Sequence, residues 1–252
     1  MTPGATRFVR YAYPPNALGY CGPDDHLALF EYGTTGVIDG GLRALAADFE
    51  GAWPYLELVA EAANRDPLDS EVVEAYWIGN RLLDRVNLSA FGNSMESRFR
   101  ARSGSSWDAV SDAVVSGVKP THAFHVFCVY PWVGLMRTGS IGSPLRILDQ
   151  CRIRWGRMVA VDGDTAIVES HPLEFDGTRL SLGSLRPESV TWANEGQGLA
   201  KTPAPGDWVA MHWGWICERI HPFAVRTLAR ETAATLALAN RVLAHPRTGV
   251  LA

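Results

Sequence analysis

The sequence predicts an α+β protein: an all-helical N-terminal domain over residues 1–144, then a small β-barrel with a C-terminal helix over residues 145–252. Three observations carry that prediction. Apolar residues recur at three- and four-residue spacing through most of the first part, the period of a helix with one buried face. From Ile153 the period falls to two, in short runs joined by Asp162-Gly163 and Asp176-Gly177, and Asp-Gly between apolar runs is a strong hairpin signal. Behind Pro222, the residues Val225, Leu228, Ala229, Leu236, Leu238 and Val242 restore the helical period.

Taken in order, residues 1–36 are rich in Tyr, Pro and Gly. Tyr13-Pro14-Pro15-Asn16 is expected to be extended or turning, because proline restricts itself and its predecessor. Cys21-Gly22-Pro23-Asp24-Asp25-His26 reads as a helix entry with acids in the first turn. A cysteine there would feel the positive end of the helix, which favours thiolate; the plainer alternative is a turn whose cysteine packs. Ile38, Leu42, Leu45, Ala46 and Phe49 mark one helix, and Pro54 opens the next, with Leu56, Val59, Ala60 and Ala63 as its buried stripe. Asp69-Ser70-Glu71 starts another, carrying Val72, Val73, Tyr76 and Trp77. Residues 87–102 continue as helix, 104–106 form a loop, and 107–115 make a short helix.

The aromatic stretch from Thr121 to Trp132 holds His122, His125 and Cys128. On a helix the two histidines are neighbours and the trio could face a metal; on a strand they point to opposite sides. The plainer reading is a buried aromatic element with hydrogen-bonded histidines. Residues 137–144 form a Gly- and Ser-containing connector, and the domain boundary is placed there. Beyond it, Met158–Val161, Thr165–Val168, Leu173–Phe175, Thr178–Leu182, Ser189–Trp192 and Asp207–Met211 read as strands. Many short strands with regular turns suggest a barrel, which removes exposed edges.

Composition narrows the class. A charged fraction of 20% beside 47% hydrophobic residues is ordinary for a soluble globular chain. The net charge of -4 gives no reason to expect nucleic acid. The longest apolar stretch contains His125 and Pro131 and is too short to span a bilayer, so no membrane span is expected. The start lacks the apolar core of a signal peptide, and none of the four cysteines forms a CxxC pair. The chain therefore reads as cytoplasmic, with its cysteines reduced.

Two residues stand out as a donor pair. Cys151 opens the strand-rich part in Cys151-Arg152-Ile153-Arg154-Trp155-Gly156, and His212 closes it in Pro205-Gly206-Asp207-Trp208-Val209-Ala210-Met211-His212-Trp213-Gly214-Trp215. Gly156 lies five residues beyond the cysteine, followed by Val159, the Asp162-Gly163 turn, Ala166 and Val168. In that order and spacing, residues 151–219 resemble the HypC/HupF family of [NiFe]-hydrogenase maturation chaperones.

The resemblance implies a five-stranded OB-like barrel with a C-terminal helix. It implies a non-enzymatic carrier of an iron atom with cyanide and carbon monoxide ligands, which docks on the scaffold protein that assembles this fragment and then on the hydrogenase large-subunit precursor. The family's cysteine and histidine correspond to Cys151 and His212, the expected metal ligands. In that family the cysteine is the mature N-terminus; here it follows about 150 residues that have no counterpart there. Thiolate and imidazole suit a low-spin iron, and Trp155, Trp213 and Trp215 would wall a dry pocket, with indole N–H available to a cyanide nitrogen. Two rival readings stand beside this one. A metalloenzyme with its site between the two domains would draw on Cys21, His26, His122, His125 or Cys128. A metal-free interaction module would keep the barrel as a docking surface.

Overall fold

The computed structural model describes residues 2–103 and 107–244, so the loop expected at 104–106 lies outside the described residues. The first half is helical: α1 (Gly4–Ala17), α2 (His26–Thr35), α3 (Gly40–Ala47), α4 (Trp53–Ala63), α5 (Ser70–Trp77), a 3-10 turn (Arg81–Arg85), α6 (Leu88–Ser103) and α7 (Trp107–Val115). There follow α8 (His122–Phe124), which runs straight into a π turn (His125–Val129), then α9 (Trp132–Arg137) and α10 (Gly142–Cys151). Asp25, Asp39, Asp69 and Thr121 cap α2, α3, α5 and α8 by accepting from backbone N–H groups of the first turn.

Two local expectations fail. Pro14 and Pro15 are not extended; they lie inside the last turn of α1. Helix survives there because proline at 14 and 15 removes only the donors for the carbonyls of Arg10 and Tyr11, and no further turn has to be built. The connector at 137–144 is also shorter than expected. Its end is helical, with Pro144 tolerated in the first turn of α10 and Cys151 as that helix's last residue.

The second half carries β1 (Arg154–Asp162), β2 (Thr165–Ser170), β3 (Leu173–Phe175), β4 (Leu180–Leu182), β5 (Arg186–Thr191), β6 (Ala193–Asn194), β7 (Gln197–Gly198), β8 (Trp208–His212) and β9 (Trp215–Arg219). The closed sheet has the order β1-β2-β5-β9-β8, and β3–β4 and β6–β7 form small sheets of their own. Barrel neighbours are antiparallel except β5 and β9. A Cβ at position 156 would overlap Val168 and the Glu169 carbonyl, so glycine there lets β1 lie against β2. The chain ends in α11 (Pro222–Ala244), whose Asn240 side chain exchanges hydrogen bonds with the backbone of Leu180 on β4 at 2.7 and 2.9 Å. The expected mixture of N-terminal helices, strands and a C-terminal helix is thus present, and among the described residues no helix is long and apolar enough to cross a membrane.

One hydrophobic cluster joins Phe8, Tyr55, Leu56, Val72 and Phe124 of the helical half to Ile153, Trp155, Ala210 and Cys217 of the strand-rich half. Each fully buried side chain of this size contributes roughly 1.5–3 kcal/mol. A polar clamp fixes the same contact. Arg7 donates to Glu218 Oε1 at 2.7 Å and the Tyr11 hydroxyl donates to Glu218 Oε2 at 3.1 Å, tying α1 to β9. With removal of either partner, a buried group would be left unpaired, so the clamp sets the position of α1 on the barrel.

Candidate metal centre

Cys151, His122 and His212 meet in the seam between the halves. Their Sγ and ring-nitrogen donor atoms all lie within 4.8 Å of one another, and the three could hold one metal ion. Each is buried, at 7%, 6% and 1% exposure. They line a cavity of about 110 Å³ whose other walls include Tyr20, Cys21, Tyr76, Trp77, His125, Tyr130 and Trp213.

The chain around each donor explains its placement. Cys151 ends α10, and its flanks are pinned. Arg152 is fully buried and donates to Asp149 at 2.8 Å and to the His171 carbonyl at 2.6 Å. The Gln150 carbonyl accepts from the Trp213 backbone N–H at 2.9 Å, which ties the end of α10 to the β8–β9 turn. That turn is Trp213-Gly214, and both residues have positive φ, +48° and +75°. Such a two-residue turn matches the twist of a hairpin, but it costs a tryptophan on the order of 1–3 kcal/mol. The strain places the indole in the cavity wall beside Cys151.

His212 ends β8 and is held from α1. Its Nδ1–H donates to the Tyr11 carbonyl at 2.7 Å. In a regular helix that carbonyl would accept from the N–H of residue 15, and residue 15 is proline. The lone pair is therefore free for the histidine. A carbonyl can only accept, so the proton sits on Nδ1 and Nε2 is bare. Nε2 is buried and makes no hydrogen bond of acceptable geometry, its nearby polar group being the Cys151 carbonyl. An orphaned, oriented lone pair of this kind in a buried cavity fits a metal ligand.

His122 is arranged differently. Its Nε2 lies 2.8 Å from the Cys151 carbonyl and 3.9 Å from the Cys151 sulfur, while Nδ1 lies 3.1 Å from the Tyr76 hydroxyl. Facing a carbonyl, Nε2 carries the proton and Nδ1 accepts from Tyr76. Trp77 stacks obliquely on both rings, 4.7 Å from His122 and 5.7 Å from His212.

Burial sets the protonation states. It lowers His122 to about 4, against a small opposing pull from the Cys151 carbonyl. It also holds His212 well below the ordinary histidine value, helped by the charge His122 would carry and opposed by the Tyr11 and Cys151 carbonyls. Both rings are neutral at physiological pH, the form that binds metal. Burial pushes the Cys151 thiol up to about 12, and the nearby Cys21 adds to this. The Trp213 indole N–H makes no hydrogen bond of acceptable geometry, yet its dipole pulls the thiol back toward the thiolate. A thiol this buried is a poor nucleophile without a cation, so the Cys151–His122 contact does not read as a hydrolytic dyad.

Of the residues singled out from the sequence, Cys151, His212, His122 and Trp213 come together, and Cys21 and His125 line the same cavity. Cys21 does not gain from a helix end: it lies ahead of the Asp25 cap, and burial drives its thiol up to about 12. Trp155 packs into the core shared by the two halves, and Trp215 packs on Tyr13 and Phe30 at 5.4 and 6.2 Å. His26 is exposed at the start of α2. Cys128 lines a separate groove with Asp112 and Arg241. Cys217 is buried in the core rather than the cavity. Tyr11, Tyr76 and Trp77 support the donors; apolar helical spacing marked Tyr76 and Trp77 in the sequence, and nothing there singled out Tyr11.

No curated protein and no solved structure matches the chain. A family model described as a family of unknown function, DUF6390, matches residues 1–246. The match spans both the helical half and the barrel with its three converging donors, and the chain belongs to that family.

Proposed function

We propose that this protein is an accessory protein of [NiFe]-hydrogenase maturation that holds an iron–cyanide–carbonyl fragment as cargo. One observation carries the reading: a thiol and an imidazole, entering and leaving the barrel at residues 151 and 212, face one buried cavity with donor atoms within 4.8 Å. Counting the barrel strands alone, the order is first, second, third, fifth, fourth, with the third and fifth parallel, which supports an OB-like architecture. The donor set supports soft cargo, since thiolate with neutral imidazole suits a low-spin iron better than a hard cation. Three protein ligands leave coordination positions for the fragment's own small ligands. The Trp213 N–H, buried beside the Cys151 sulfur without a well-formed hydrogen bond, supplies a donor for one of them.

The helical half covers the site that a barrel alone would leave open, and His122 joins from it. The cargo is thus enclosed by the chain's own walls, received from an assembly scaffold protein and passed to the hydrogenase large-subunit precursor in the cytoplasm. The test is infrared spectroscopy of the protein purified after co-expression with the maturation machinery. Cyanide and carbonyl bands are expected in the wild type and absent in Cys151→Ala. No bands in the wild type, or unchanged bands in Cys151→Ala, contradict the reading.

The arrival of His122 favours a second reading, a metalloenzyme with its site between the halves. In that case metal is lost in His122→Ala and kept in Cys151→Ala.

A further inference from the structure

The triad is buried, and a way in to it has ligands of its own. Outside the inner cavity lies a groove of about 540 Å³, lined by Asp48, Glu50 and Phe99 among others. Inner cavity and outer groove share the walls Tyr20, Cys21, Gly51, His125 and Tyr130. Anything passing between them by this route passes Cys21 and His125.

Both side chains are set for that place. His125 is 3% exposed, and its Nδ1 is engaged by the Tyr55 hydroxyl at 3.1 Å. Its Nε2 is the atom nearest to where a Cβ on residue 51 would stand, 3.1 Å away, so glycine at 51 keeps the space beside that nitrogen clear. The turn from α8 into the π segment makes the separation possible: three residues after His122, His125 faces the mouth instead of the triad. Cys21 sits on the loop between α1 and α2. Asn16 braces that loop, donating to the carbonyls of Cys21 and Pro23 at 2.8 and 2.6 Å. The neighbouring Tyr20 stacks on Trp213 with ring centres 4.1 Å apart. The loop that carries the outer thiol is thereby latched to the turn beside the inner one. Asp48 and Glu50 on the groove wall favour a cation over an anion at the entrance.

We propose that Cys21 and His125 form a second, transient ligand pair for a soft d-block metal centre, at which the metal docks before it moves to Cys151, His122 and His212. This rests on the triad being a metal site. The steps are ligand exchanges with no change of oxidation state. The Cys21 thiol gives its proton to solvent when the metal binds. When the metal moves inward, Cys151 loses its proton, Cys21 regains one, and the net release is one proton.

Cobalt(II) alone tests this, because thiolate coordination gives an ultraviolet charge-transfer band. In stopped-flow mixing, Cys21→Ser and His125→Gln are expected to slow the rise of the band about tenfold while reaching the wild-type end spectrum. Cys151→Ser is expected to lose the tight site and keep a weaker band, which the Cys21→Ser/Cys151→Ser double variant removes. Circular dichroism of each variant confirms the fold. Loading of Cys21→Ser at the wild-type rate overturns the mouth pair, as does the absence of a residual band in Cys151→Ser. A wild-type band that survives Cys151→Ser undiminished overturns the triad itself and is thereby told apart.

Discussion

The barrel and the helical half each send a histidine to the same cavity, and they hold it in opposite ways. His212, from β8, donates to the Tyr11 carbonyl, which can only accept; its proton is fixed and its free nitrogen already faces inward. His122, from α8, sits between a carbonyl and a hydroxyl that can donate or accept. Before His122 can bind metal, Nε2 must release the Cys151 carbonyl and its proton must appear on Nδ1. Tyr76 permits this, because its hydroxyl can turn its own hydrogen to the Gly51 carbonyl, 3.3 Å away, and accept from Nδ1. The barrel donor is preorganised and the helical donor is switchable. The proposed carrier role would draw on both properties: a fixed seat, and a ligand that can let go.

The largest effect expected is common to both halves. Unfolded histidine titrates near 6.5, whereas folded His122 titrates at about 4, His125 at about 3 and His212 well below its ordinary value. Below pH 6.5 the unfolded chain therefore binds more protons than the folded one, and stability falls as pH drops. With all three contributing, the slope is steepest near pH 5, at about 4 kcal/mol per pH unit, and eases toward pH 4 as folded His122 takes up its own proton. Urea unfolding between pH 7 and 4 checks this, and a flat profile would show that the rings are not held neutral.

Next in size is loss of a donor. Cys151→Ala and His212→Ala should weaken cobalt binding by more than the roughly 10–100-fold that a supporting residue costs. Equilibrium dialysis with metal analysis measures it. His122→Ala should cost less than either if the helical donor is the releasable one, and an equal loss would erase the contrast.

Smaller effects separate the two supports. Tyr76→Phe leaves His122 Nδ1 without its partner, and metal affinity should fall about tenfold. Pro15→Ala restores an N–H that competes for the Tyr11 carbonyl. It should weaken cobalt binding by a few-fold, about threefold, without lowering thermal stability, because α1 gains a helical hydrogen bond. Calorimetric titration beside thermal unfolding reads both. Trp155→Phe and Trp215→Phe should leave affinity unchanged, since neither lines the cavity.

Much of this was legible in the sequence where local chemistry decided it. The Asp162-Gly163 signal marks the β1–β2 hairpin, although Asp162 still pairs with Thr165 and the two turn residues are Gly163 and Asp164; Asp69 caps α5 as its position suggested. Cys151 and His212 were singled out as a pair from the residue order around them, and the fold brings both to one cavity. His122 was not placed with them, since periodicity leaves helix and strand open over so short a stretch, and the switch from α to π that parts His122 from His125 depends on packing. Pro14-Pro15 misled for the opposite reason. Proline's local preference is strong, but at a helix end its penalty is small, and the freed Tyr11 carbonyl is used by a residue 201 positions away. Trp155 and Trp215 matched the expectation of cavity walls in type but not in direction, which only the register of the barrel fixes.

X-ray absorption at the metal edge of the cobalt(II)-loaded protein tests the central claim most directly. One sulfur and two imidazole nitrogens are predicted, with one imidazole lost in His122→Ala and the sulfur lost in Cys151→Ala. A sulfur-free metal environment, or one unchanged by both substitutions, would contradict a site built jointly by the barrel and the helical half.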